Sequence, residues 1–224
     1  MSDLAIYDMD RTITRFATYT PFLIHAARTR APWRLLFAPA VMASMAAYGV
    51  RAIDRARLKE INHRLLLGHM LEHTAIEPIV QSFADETLRT NIRPGAHRAI
   101  ARDRSEGRRL VLATASYALY AEAIAQRLGF DDVVATRSHR GPDGHLLARI
   151  DGENCYGPAK MRMLSTWLGA EAIDRSKVLV RFYSDHASDA PVFEWADEPV
   201  AVSPHARLRR LATARGWRIE DWSR

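Results

Sequence analysis

Leu4-Ala5-Ile6-Tyr7-Asp8-Met9-Asp10-Arg11-Thr12-Ile13-Thr14 is the stretch whose reading decides the fold. Leu4 to Tyr7 is an unbroken apolar run bounded by polar residues, the pattern of a short strand covered on both faces of a parallel sheet. Residues i and i+2 of an extended chain point the same way, so Asp8 and Asp10 should converge at the strand's carboxyl end. Ligands bind at that end of open α/β sheets. Two like charges so close call for a cation or for a proton on one of them, and hard oxygen ligands favour magnesium. A solvated Asp-x-Asp turn is the plain alternative, and the motif alone does not decide between the two.

Beyond Thr14 the pattern turns helical and stays so to about Thr90. Thr20-Pro21 has the form of an N-cap followed by a first-turn proline. Leu35 to Val50 carries no charge, but its sixteen residues, with Pro39 inside, fall short of the ~20 that cross a bilayer. It is expected as a helix buried in a small bundle, with attachment to a membrane surface as the second reading. Leu58, Ile61, Leu65 and Leu66 fall three or four apart, as an amphipathic helix requires. Residues 15–90 are therefore expected to be an all-helical insertion, and 1–14 with 91–224 an α/β core.

The core resumes at Pro94-Gly95 with a polar helix to Glu106. Further buried strands are expected at Arg109–Thr114, Val133–Thr136, Lys177–Tyr183 and Pro199–Val202. Helices at Tyr117–Leu128, Pro158–Leu168 and Pro204–Arg215 lie among them, and Arg140-Gly141-Pro142-Asp143-Gly144-His145 has the chemistry of a hairpin turn. Strands alternating with helices indicate a parallel, Rossmann-like sheet.

Composition sets bounds. A chain of 224 residues can bury a full core. Its one cysteine, Cys155, excludes an internal disulfide framework and fits a reducing compartment. Met1-Ser2-Asp3 has no basic n-region, so the expected address is the cytoplasm. The net charge of +6 suggests anionic partners, and eight basic residues against two acids stand between Arg28 and Arg64. A solvated helix face is the ordinary source of such an excess; a phosphate-attracting or membrane-facing surface is the other. No nucleic-acid partner is expected, and the sequence is silent on oligomeric state.

Three other strand ends or helix starts carry polar chemistry. Thr114-Ala115-Ser116 ends a strand before a helix, where a hydroxyl beside free backbone N–H groups can cradle phosphate or cap the helix. Lys160 lies in the first turn of a helix, a place the macrodipole makes unfavourable for a cation unless an anion sits nearby. Asp185 and Asp189 follow the Lys177–Tyr183 strand.

Taken together, Asp8-x-Asp10, Thr114, Lys160 and Asp185-xxx-Asp189 resemble, in order and spacing, the four motifs of the haloacid dehalogenase (HAD) superfamily. The insertion resembles the C1 cap of its subfamily IB, the phosphoserine-phosphatase-like branch. The resemblance implies a magnesium-dependent phosphatase of a small phosphomonoester. Asp8 would be the nucleophile and Asp10 the general acid and base. Thr114 and Lys160 would hold the phosphate, and Asp8, Asp10 (through its carbonyl) and Asp185 the metal. Asp189 would orient Lys160 or a water. Arg64 resembles, loosely, a cap arginine that meets the substrate. Arg11 and Ser184 depart from the pattern, and Ala17 stands where phosphoserine phosphatases place a glutamate. Phosphoserine, histidinol phosphate and a lipid phosphate thus stay open as substrates. A signalling receiver would not place its aspartate in Asp-x-Asp on the first strand, and a basic anion-binding module with a relict site is the non-enzyme alternative.

Overall fold

The computed structural model describes residues 2–223; Met1 and Arg224, the outermost residues of the expected core, lie outside the described residues. Eight strands form one sheet: β1 (Leu4–Tyr7), β2 (Met70–Leu71), β3 (Arg109–Tyr117), β4 (Asp132–Arg140), β5 (Leu146–Asp151), β6 (Val180–Ser184), β7 (Glu198–Val202) and β8 (Arg218–Glu220). Their order is β2-β5-β4-β3-β1-β6-β7-β8. From β4 to β8 every pairing is parallel, while β5 and β2 extend the sheet antiparallel.

β1 lies at the centre because all four of its residues can be buried. Ala5 and Tyr7 face one core, with the helices α5 (Pro94–Ser105) and α6 (Ala118–Leu128); Leu4 and Ile6 face the other, with α7 (Pro158–Ala170), α8 (Ala190–Trp195) and α9 (Ala206–Arg215). The hydroxyls of Tyr7 and Tyr183 both donate to Asp103 of α5, which also pairs with Arg181 at 2.5 Å. The chain end closes over the start of α5, where a Cβ on Gly95 would stand 2.5 Å from Trp222, so only glycine fits there.

Between Ile13 and Pro94 lie α1 (Tyr19–Arg30), a 3-10 turn (Pro32–Phe37), α2 (Ala38–Gly49), α3 (Arg55–Leu66) and α4 (His73–Thr90). The insertion is not wholly helical. β2 falls inside it and pairs Met70 with Leu147 and Leu71 with Leu146. α1 begins at Tyr19, so Thr20 and Pro21 sit within its first turn, where a missing N–H costs no helix bond.

Leu35–Val50 is not one buried helix. Pro39 lacks an N–H and can occupy only a first turn, so a new helix begins at Ala38. Within α2 only Val41 and Ser44 are buried, Ser44 bonding Asn62 of α3 at 2.7 Å. The rest of that apolar surface faces out.

His63 of α3 is a buried titratable group between insertion and core, edge-on to Tyr117 at 5.5 Å, with neither ring nitrogen bonded among the described residues. Burial pushes its pKa down to about 4. The unfolded chain therefore binds a proton below pH ~6.5 that the folded chain refuses until about pH 4, and stability falls as pH drops through that window. We expect an acid loss of ~3 kcal/mol from this group. Denaturant melts at pH 7 and pH 5 should show a smaller loss for His63→Leu than for the parent chain.

Candidate active site

The site gathers at the carboxyl end of β1. Asp8 ends the strand, its N–H donating to the Tyr183 carbonyl at 2.9 Å. The following loop turns sharply through Arg11, whose φ of +64° is the left-handed conformation that favours glycine. The turn is held by the Arg11 N–H donating to Thr14 Oγ1 at 3.1 Å, and by Arg93 Nε donating to the Arg11 carbonyl at 3.2 Å. Its product is the position of Thr12. The Thr12 hydroxyl stands 3.0 Å from Asp8 Oδ2 and 3.3 Å from Asp185 Oδ1, and accepts the Asp185 N–H at 3.0 Å. Two carboxylates from opposite ends of the chain are thus one hydroxyl apart.

Lys160, on the first turn of α7, is almost fully buried at 2% exposure. Its Nζ donates to Asp8 Oδ1 and to Asp189 Oδ2, each at 2.8 Å. Those carboxylates are the anions that its place at a helix start requires. Burial works against charge on the ammonium, yet Asp189 and Asp8 outweigh it and its pKa rises. Asp8 is pulled in both directions. Burial raises it and Lys160 lowers it, while Asp189 and Asp185 push it up again, to about 7. Burial likewise raises Asp185, against the pull of His186 and His205. Asp189 takes a second bond from Ser184 at 2.7 Å and does not cap α8 with its side chain.

Asp10 faces the insertion. Oδ1 accepts from the N–H and hydroxyl of Thr18 at 2.8 and 2.7 Å, and Oδ2 from the Ser116 hydroxyl at 2.8 Å. Ser116 therefore does not cap α6, which begins at Ala118 with no side-chain cap. Thr114 lies buried in β3 at the register shift before Tyr117, its Oγ1 accepting the Ser116 N–H at 3.0 Å.

Asp8, Asp10, Thr114, Ser116, Lys160, Asp185 and Asp189 line one cavity of about 550 Å³, whose opposite wall comes from the insertion: Met45, Tyr48, Arg55, Leu58 and Lys59. Lys59 reaches across to the Ala115 carbonyl and to Asn154 Oδ1 at 2.6 Å. Burial, with Arg55 beside it, pushes its pKa down to about 7, although Asp10 pulls the other way. Arg64 is not here. It is exposed in a separate groove with Trp33 and Glu60, because five residues at ~100° each place it about 140° around α3 from Lys59. Helix phase separates the two residues; packing against the core selects Lys59. Thr18 and Ser116 carried no sequence signal as ligands of Asp10.

No group of three or more His, Cys, Asp or Glu side chains forms a metal cage among the described residues. The donors expected for magnesium are two carboxylates and a backbone carbonyl, a set that needs no such cage. The buried carboxylates Asp8 and Asp185 share one hydroxyl, and Asp189 Oδ1 is buried with no partner among the described residues. Rich in carboxylate oxygens, one of them buried and unbonded, the cluster of Asp8, Asp185 and Asp189 fits a hard divalent ion.

The family model of haloacid dehalogenase-like hydrolases matches residues 5–194, from β1 through the Asp185 and Asp189 loop. The chain belongs to that family. It is similar to the Inhibition of morphological differentiation protein of Streptomyces azureus, 37% identical over 149 residues, which cover 65% of this chain and 53% of that protein. The chain spans about half the length of the first curated relatives it matches. A Bordetella pertussis protein of unknown function shares the fold at a TM-score of 0.89 and 24% identity, covering 99% of this chain and 100% of that one. A substrate-bound phosphoserine phosphatase shares it at 0.62 and 18%, over 94% of this chain and 90% of that one. This hydrolase fold is a mostly parallel α/β sheet, as the sequence indicates.

Proposed function

We propose that the protein is a cytoplasmic phosphomonoester phosphatase that works through an aspartyl-phosphate on Asp8. The observation that carries this is the Asp8 carboxylate, clamped between Lys160 and Thr12 and facing a cavity in which Asp10 is held by three donors. Asp8 attacks phosphorus as the bond to the leaving oxygen breaks, and Asp10 delivers a proton to that oxygen. Asp10 then takes a proton from water as the water attacks the aspartyl-phosphate, releasing phosphate and restoring Asp8. Lys160 and Thr114 meet the phosphoryl oxygens, and Asp189 fixes the Lys160 ammonium. Magnesium, held by Asp8, Asp185 and the Asp10 carbonyl, would neutralise charge on the phosphoryl group. The insertion acts as the cap that shields these steps from water.

Amino-alcohol phosphates such as phosphoserine or histidinol phosphate gain no support from the cavity wall. Apart from the catalytic Asp8, Asp10, Asp185 and Asp189, no carboxylate lines it among the described residues, and Ala17 stands on its edge. The insertion contributes cations instead. A phosphomonoester screen with magnesium tests the assignment. Phosphate release should appear with magnesium, vanish with chelator and return on metal addition. Silence across the whole panel would refute it.

A further inference from the structure

From Arg28 to Ile53 the chain carries four arginines and no acid. Here the fold leaves apolar side chains in water: Trp33 at 57% exposure, Leu36 at 80%, Met42 at 65% and Val50 at 78%. Of the twelve residues of α2 none is charged and only two are buried. Monomeric soluble proteins rarely leave so continuous an apolar surface uncovered. Its rim is cationic, and Arg30 and Arg34 give their donors to the carbonyls of Leu67, Arg64 and Leu65 rather than to carboxylates. A second copy would not suit this face. Across a twofold axis the patch meets itself, setting arginines against arginines.

An anionic bilayer complements both features. A tryptophan sits well at headgroup depth, arginines are drawn to acidic lipids, and an apolar helix can lie in the interfacial plane. At ~18 Å, α2 is too short to cross the ~30 Å hydrocarbon core, and no helix among the described residues is long and apolar enough to do so. The position of α2 ties this surface to the chemistry, because its Met45 and Tyr48 also line the catalytic cavity. We propose that the segment 32–50 docks on an anionic lipid surface, and that the substrate is a lipid phosphomonoester presented from that surface beneath α2. The substrate half rests on the phosphatase reading; the docking half does not.

The test uses the full chain and vesicles of phosphatidylcholine with or without phosphatidylglycerol. The protein should pellet with the anionic vesicles, less so in high salt, and Asp8→Asn should pellet equally. Leu36→Asp/Met42→Asp should stay in the supernatant while melting at the parent temperature. Trp33→Phe should lose the blue shift of fluorescence that accompanies binding. Failure of the parent to pellet would overturn docking. So would a concentration-dependent dimer, or capture of an acidic protein, abolished by the double variant in a chain that ignores vesicles. Phosphatidate in vesicles should be hydrolysed at least ~10-fold more efficiently than glycerol 3-phosphate, because docking raises its effective concentration. Equal efficiency would overturn the lipid substrate. If docking holds but no phosphomonoester is hydrolysed, the phosphatase reading falls instead.

Discussion

Asp8→Asn should lower the turnover of an aryl phosphate by a factor on the order of 10⁴ or more, with the melting temperature little changed. The amide has almost the shape of the carboxylate, so the strand end and the Thr12 contact can persist. It cannot supply the electron pair that forms the aspartyl-phosphate, and the other carboxylates of the cavity are held by their own partners, Asp185 by Thr12 and His205. Asp10 is engaged by Thr18 and Ser116, and Asp189 by Lys160 and Ser184. Asp10→Asn should behave differently. It leaves the nucleophile intact and removes a proton transfer worth ~10²–10⁴-fold, so a slow residual turnover remains. Steady-state rates and acid-quench trapping of phosphoprotein separate the two. An Asp8→Asn protein that still turns over at the Asp10→Asn rate would remove Asp8 from the role of nucleophile.

Much of this geometry is legible before any coordinates, because strand ends can be read from apolar runs and a parallel sheet collects its strand ends on one edge. That logic brings Asp8, Asp185 and the helix-start Lys160 together, and in the structure Lys160 bonds Asp8 directly while the Thr12 hydroxyl links Asp8 to Asp185. Residues whose position depends on how the insertion folds over the core escape it. Lys59 and Arg64 are both basic and on the same helix, and only the packing of α3 decides which of them faces the site. Thr18 and Ser116 look like ordinary helix-start residues until Asp10 is seen between them. Hydropathy misleads at Leu35–Val50, since an apolar run reads the same whether a core covers it or nothing does. β2 and β8, two and three residues long, carry no pattern of their own; pairing with a neighbouring strand defines them.

Lys160→Met should both silence the enzyme and destabilise it, by ~3–5 kcal/mol at neutral pH. Methionine fills the space of the lysine stem, so the penalty is electrostatic: Asp8 and Asp189 lose the cation that both contact at 2.8 Å, and Asp185 adds its charge nearby. The pH dependence gives the test its edge. Without the ammonium, burial and the charges of its neighbours raise the folded pKa of Asp8 still further above the unfolded value. The folded variant then binds more protons than the unfolded chain between that value and the raised one, so its stability grows as pH falls through neutrality toward pH 5. The gap to the parent chain should therefore be widest above pH 7 and narrow on acidification. Removing one of the stranded charges, as in Lys160→Met/Asp189→Asn, should recover part of the loss at pH 7.5. Denaturant melts of the three proteins at pH 5 and pH 7.5 measure this directly. A gap independent of pH would mean that Lys160 supports the fold through packing alone, and that the carboxylates do not need its charge.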